Sequence, residues 1–303
     1  MHSMPAISDI VRAHPAATID WLIEASFAAL PLMHPAVRQS IPISWRRWRK
    51  SLFAADTRAA LSAARAMLRA ERYDWVIDLQ GLVKSALWAT QARGPRAGFA
   101  ADSAREPLAT LFYSQRATVD KNLHAIERSR RLAAAHLGYH LDGPPRFGLT
   151  APSGLWGPSQ PRYGVLIPGA SRPEKLWPEA SWITVAKALQ ARGLTVVWFW
   201  GSPAEGERAR RLADAAGGEV PPFLTVKDAS AVLAGACLCV GLDTGFTHLA
   251  AAFGVDTLGI YCDHEPGLVG IIGAGTVVSL GGRGQVPPVD QVLERLNDLG
   301  RAA

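Results

Sequence analysis

Apolar positions along the chain fall into two kinds of run. Short unbroken ones, such as Tyr163-Gly164-Val165-Leu166-Ile167 and Cys237-Leu238-Cys239-Val240-Gly241-Leu242, suit parallel strands covered on both faces. Between them apolar residues return every three or four positions, as on one face of a helix. In the first half this pattern predicts a helix over residues 5–13, strands over 17–23 and 74–80, and helices over 81–92, 105–113 and 123–137. In the second half it predicts strands over 163–167, 194–200, 237–242, 257–261 and 277–280. The helices expected there cover 179–191, 204–216, 228–236 and the stretch from 245 to Gly254. A last helix carries Val289, Val292, Leu293, Leu296 and Leu299 on one face. Such alternation predicts an α/β architecture of parallel, doubly wound sheets.

Nine of the nineteen residues from 143 to 161 are glycine or proline, which interrupts the alternation and marks a linker. The expected organisation is a first Rossmann-like domain over 1–150, a second over 151–286, and a terminal helix over 287–303 packing back across both. Hydrophobic residues at 49% and charged ones at 19% of 303 describe an ordered globular protein with room for two cores. Cysteines 237, 239 and 262 are too few for a disulfide framework and read as small buried residues of a reduced, cytoplasmic protein. The N-terminus lacks the apolar segment of a signal peptide, and the most apolar stretch, residues 229–242, is too short to span a bilayer. The expectation is a soluble protein, at most peripheral to a membrane. Much of the formal charge of +6 is local, since Trp45-Arg46-Arg47-Trp48-Arg49-Lys50 packs four cations and two tryptophans into six residues. Such a segment suits phosphates or anionic headgroups; the plain alternative is a solvated basic loop with tryptophans anchored in the core. Nucleic acid is not expected, because no binding motif accompanies the patch.

Candidate chemistry concentrates at Asp243-Thr244-Gly245-Phe246-Thr247-His248, between the 237–242 strand and the helix after it. A helix start at the carboxyl edge of a parallel sheet presents unpaired N–H groups and the positive end of its dipole, so it seats anions, phosphates above all. Thr244 can cap that helix, Gly245 lets a ligand approach the backbone, and His248 can place an imidazole beside the same anion. The plain alternative is that Asp243 and Thr244 only cap the helix. An aspartic-protease reading fails, because it needs two facing carboxylates in an all-β setting. Two further strand ends carry polar turns, residues 168–178 and 201–205. In a doubly wound sheet such turns converge on one crevice, which would bring Lys175 to a phosphate and Glu205 to ribose hydroxyls.

Several segments, taken in order, resemble glycosyltransferase family 9, the lipopolysaccharide heptosyltransferases, and within it the type that adds the first heptose. They are residues 45–50, Asp78-Leu79-Gln80-Gly81-Leu82-Val83-Lys84-Ser85, residues 104–113, Lys175-Leu176-Trp177-Pro178-Glu179, and Asp243-Thr244-Gly245-Phe246-Thr247-His248-Leu249. The resemblance covers nearly all of the chain. It implies the GT-B fold, two Rossmann-like doubly wound domains facing a central cleft. It also implies an inverting, metal-independent transfer of L-glycero-D-manno-heptose from ADP-heptose to Kdo of Kdo2-lipid A, without a cofactor, at the cytoplasmic face of the inner membrane. By the same resemblance the donor is held by Lys175, Asp243, Thr244, Gly245 and His248, with Glu205 at the ribose and Leu224 beside the adenine. The acceptor's carboxylates and phosphates are met by Arg46, Arg47, Arg49, Lys50, Lys84 and Arg105.

One departure stands out. Members of the family begin with a strand and a glycine-rich turn carrying an aspartate, the general base for the acceptor hydroxyl, whereas here the match starts near Met4. No catalytic residue is therefore assigned, and Asp9 is no substitute because it falls within the first helix. Loss of that strand, central in this topology, would leave two unpaired edges and an apolar slot. The expectation is that Met1 is an internal methionine of a longer natural chain. Two other readings stay open: a non-catalytic ADP-sugar-binding protein, and the related enzyme that adds the second heptose.

Overall fold

A computed structural model describes residues 1–51 and 53–299, without the side chain of Arg46. The chain forms two compact units, the first from His2 to Gly148 and the second beginning at Leu149.

The first unit runs α1 (Met4–Ala13), β1 (Ile19–Glu24), β2 (Val37–Ile43), α2 (Trp45–Trp48), α3 (Ala55–Ala70), β3 (Val76–Ile77), α4 (Val83–Ala89), β4 (Arg96–Phe99), β5 (Gln115–Ala117) and α5 (Ala125–Leu137). All its ladders are parallel, but they form two sheets, β1-β2 and β3-β4-β5. Among the described residues both β1 and β3 are thus paired along one edge only, and every residue in them is half-buried. A strand in a parallel sheet is dry only when flanked on both edges and covered on both faces.

Three expectations change here. The helix over 105–113 is a 3-10 segment, Pro107–Phe112, whose Leu108 and Leu111 are 67% and 72% exposed, so the spacing that suggested a buried face lies in solvent. The strand over 74–80 is a ladder of Val76 and Ile77, extended by one bond from the Asp78 N–H to the Ala97 carbonyl. Finally, β2 and α3 fall where the pattern predicted nothing. Pro42 within β2 disguises it as a loop, and α3 packs inward only a narrow stripe, Ala60, Leu61, Ala64, Met67 and Leu68, among alanines and arginines that favour the helix.

The second unit runs β6 (Tyr163–Ile167), α6 (Glu179–Ala191), β7 (Thr195–Trp198), α7 (Pro203–Ala216), α8 (Val226–Ala234), β8 (Leu238–Leu242), α9 (Gly245–Ala252), β9 (Asp256–Tyr261), α10 (Pro266–Val269), β10 (Val277–Gly281) and α11 (Val289–Leu296). One parallel sheet, ordered β10-β9-β8-β6-β7, packs against α6, α7, α9 and α10. Its central strands β6 and β8 are buried throughout. Trp177, Trp182, Trp198, Leu189, Leu212 and Val240 fill the core. The terminal helix packs on α6, with Val292, Leu296 and Leu299 in that core. Among the described residues no helix is long and apolar enough to cross a membrane.

Candidate active site

The carboxyl end of β8 opens into the Asp243 turn, pinned to the next strand by the Asp243 N–H donating to the Ile260 carbonyl at 3.1 Å. Thr244 sits at the N-cap of α9, but its hydroxyl does not cap the helix. The Thr247 hydroxyl donates to the Leu242 carbonyl at 2.6 Å and lies 3.3 Å from that of Thr244. This bond brings Thr247 so close to β8 that a Cβ on Gly241 would stand 2.2 Å from its oxygen. Gly245 is exposed, with open space where a side chain would be. The start of α9 is therefore uncapped by side chains and open to a ligand, as an anion seat requires.

Around the Asp243 carboxylate three basic side chains gather. Lys175 Nζ donates to Oδ2 at 2.8 Å, His264 Nδ1 lies 2.8 Å from the same oxygen, and His248 Nε2 is 3.3 Å from Oδ1. A carboxylate only accepts, so each imidazole nitrogen facing it carries its proton. Lys175 ends a 3-10 turn, Pro173–Lys175, and the chain then dives into the core at Trp177, whose indole N–H donates to the Pro287 carbonyl at 2.9 Å. That anchor fixes the reach of Lys175. An ion pair between Arg172 and Asp263 ties the same turn to the segment carrying His264. Burial alone would raise the Asp243 pKa, but the hydrogen bonds from His248 and Lys175, with the charges of both, outweigh it and hold the carboxyl well below the usual range. Burial first, and then the Asp243 charge, pushes the Tyr261 phenol up.

The other expected donor-side residues lie at neighbouring strand ends. Glu205, in the first turn of α7, accepts the Gly201 N–H at 2.8 Å, and its own amide is capped by Ser202 Oγ at 3.4 Å. Its carboxyl presses on the turn after β6, where a Cβ on Gly169 would meet Glu205 Cδ at 2.7 Å. Leu224 is half-buried just before α8. Its neighbour Phe223, 63% exposed, meets the Trp200 ring edge-on at 5.6 Å.

The sequence model of Glycosyltransferase family 9 (heptosyltransferase) matches residues 61–293. Lipopolysaccharide heptosyltransferase 1 of Escherichia coli K12 is 39% identical over 99% of this chain and 96% of its own length. The chain belongs to glycosyltransferase family 9. A solved structure of E. coli heptosyltransferase WaaC with ADP superposes with a TM-score of 0.88 at 36% identity, covering 98% of this chain and 95% of that one. A second, with ADP-2-deoxy-2-fluoro heptose, gives 0.85 at 35% identity over the same shares. The fold is accordingly GT-B, and the protein is a glycosyltransferase of the heptosyltransferase family.

On the first unit of this heptosyltransferase the expected acceptor residues are spread over several elements. Arg47, Arg49 and Lys50 are exposed on and after α2, while Trp48 is buried against Trp88 at 6.1 Å, so the tryptophan anchors the segment and the cations face solvent. The Arg46 side chain lies outside the described residues. Lys84 is exposed at the start of α4, and Arg105 is exposed before the 3-10 segment. Burial and then the nearby Arg105 lower the pKa of Arg128, whose guanidinium stacks on Phe99 at 4.9 Å.

Two carboxylates of this unit are committed elsewhere. Asp9, in α1, is buried between Arg130 at 2.6 Å and Arg12 at 2.8 Å. Asp78, buried at the end of β3, accepts from the Gln80 and Gly81 amides, from Ser85 Oγ at 2.7 Å and from the Tyr113 hydroxyl at 2.6 Å. It thereby fixes the turn leading to Lys84, in which Gly81 has φ +66°. Sequence reasoning quoted Asp78 without giving it this role, and it missed His264 altogether.

Proposed function

We propose that this heptosyltransferase moves L-glycero-D-manno-heptose from ADP-heptose to Kdo of Kdo2-lipid A, at the cytoplasmic face of the inner membrane, inverting the sugar and using no metal. The observation that carries this reading is the cluster of Lys175, His248 and His264 on one carboxylate at the open start of α9. The acceptor hydroxyl attacks the anomeric carbon as the bond from that carbon to the diphosphate breaks. Negative charge grows on the departing ADP, and Lys175, His248 and the α9 dipole stabilise it where it develops. Asp243 orients the three basic side chains, Gly245 admits the diphosphate to the backbone, and Thr244 borders it. Glu205 is offered to the ribose, and Leu224 with Phe223 and Trp200 to the adenine. Arg46, Arg47, Arg49, Lys50, Lys84 and Arg105 serve the anionic acceptor. The acceptor hydroxyl releases its proton to water as the new bond forms.

The experiment is transfer from ADP-heptose to Kdo2-lipid A, read by mass spectrometry of the acceptor. A gain of one heptose supports the proposal. Binding of ADP-heptose without any gain on any acceptor would overturn it. A gain only on an acceptor that already bears one heptose supports addition of the second sugar.

A further inference from the structure

The basic character of the protein belongs to one unit. Residues 1–148 hold 20 lysines and arginines against 12 acids, whereas the rest of the chain is net −2. Between residues 45 and 69 seven basic residues accompany a single acid, Asp56. Four of the seven are acceptor-side residues already assigned; Arg58, Arg65 and Arg69, on α3, have no part in that reading.

Spacings of seven and four residues place these three arginines within about 40° of one another around the helix, with Asp56 on the far side. All three are exposed. Among the described residues none of them forms an ion pair. Arg69 Nε donates only to the Gln91 carbonyl, at 3.4 Å. Arg65 and Arg69 are a like-charge pair one turn apart, which opposes the helix, so the stripe does not serve α3's own stability. Next to it lies a groove of about 290 Å³ with apolar lining from Trp45, Leu61, Leu87 and Trp88 and cations from Arg65 and Lys84. Phe53, between α2 and α3, is 93% exposed.

A single phosphate is gripped by cations that converge, whereas this stripe runs about 16 Å along a helix and fits an extended anionic surface. The apolar groove beside it, and an exposed phenylalanine two residues before α3, fit a surface with hydrocarbon just beneath its charge. We propose that the α3 stripe, with Phe53 and the adjoining groove, is the face by which this protein sits on an anionic phospholipid bilayer. The proposal rests on the functional reading only in that a lipid-borne acceptor brings the enzyme to such a surface.

The test is co-sedimentation with vesicles of phosphatidylcholine alone or with added phosphatidylglycerol. The wild-type protein is expected to pellet with the anionic vesicles only, and less so as salt rises. A triple Arg58→Gln, Arg65→Gln, Arg69→Gln variant should lose about fivefold in partitioning per arginine, on the order of a hundredfold in all. The triple lysine variant should retain binding, because the surface reads charge. Matching circular-dichroism melts would show that the glutamine variant is folded, and its transfer to a soluble Kdo acceptor should equal wild type. Failure of the wild type to transfer to any acceptor would sink the functional reading and leave the vesicle result standing. Equal pelleting by wild type and glutamine variant, or equal binding to neutral vesicles, would overturn the inference. So would arginine-dependent binding to duplex DNA or RNA with none to anionic vesicles.

Discussion

At the scale of the residue, Asp243 is where charge is most concentrated, and its acidity gives a test of sign. Its native pKa is depressed, so its ionised form contributes stability that is complete above the unfolded value of about 3.9 and is lost as pH falls from there through the native value. Asp243→Asn should therefore be less stable than wild type at pH 7, by about 1–3 kcal/mol, and the gap should begin to narrow below about pH 4. Urea unfolding at pH 7 and pH 3 measures both; an equal gap at the two would show that the charge is not what stabilises. His264 has a separate consequence. Its imidazole at 2.8 Å shares Oδ2 with Lys175, so His264→Ala loosens the carboxylate against which the lysine is held. ADP affinity by calorimetry should fall roughly fivefold, the equivalent of about 1 kcal/mol, and His264→Asn, which keeps an N–H donor, should recover part of it. Unchanged affinity would reduce His264 to a loop residue. Asp243, Lys175 and His248 were legible in the sequence because each sits in a turn beside an apolar run or one helical turn beyond it. His264 was not, since the Cys262-Asp263-His264-Glu265 stretch has no periodicity and only the fold carries it back to Asp243.

At the scale of the element, the sequence read best where burial is complete. The run 163–167 and the helix 179–191 matched β6 and α6 to the residue, because a strand covered on both faces has no polar position to blur its ends. Reading failed where elements lie at edges: β2 is alternately exposed and buried with a proline inside, and α3 buries only Thr57, Ala64 and Leu68. The same logic identifies the joint that matters most for the site. The Thr247 hydroxyl locks α9 to β8 only because Gly241 has no side chain. Gly241→Ala forces Thr247 away or bends the strand, at about 1–3 kcal/mol, and at about 2–4 °C per kcal/mol the melting temperature should drop by several degrees. Because the Asp243 turn is built on that joint, ADP binding should weaken in the same variant at a temperature where it is still folded. A variant that melts early yet binds ADP as wild type would separate the joint from the site.

At the scale of the whole molecule, the two units are held together by different amounts of sheet. The second has five strands in one ladder with its central strands dry, whereas the first has two short sheets in which, among the described residues, β1 and β3 each keep an unpaired edge and half-wet side chains. Two separate cores of unequal quality do not unfold as one, so a single two-state transition is not expected. Calorimetry should resolve two transitions, the lower belonging to the first unit, and hydrogen exchange should open β1 and β3 before β6 and β8. The proposed donor site gives the means of assigning them, since the residues that hold ADP in that reading all belong to the second unit. Saturating ADP, at about a hundred times its dissociation constant, adds about 2.7 kcal/mol to whatever binds it. The upper transition should rise by about 5–10 °C while the lower stays in place. If instead one transition were seen and ADP moved it whole, the units would be unfolding together, and the weakness of the split sheets would have to be made good by contacts outside them.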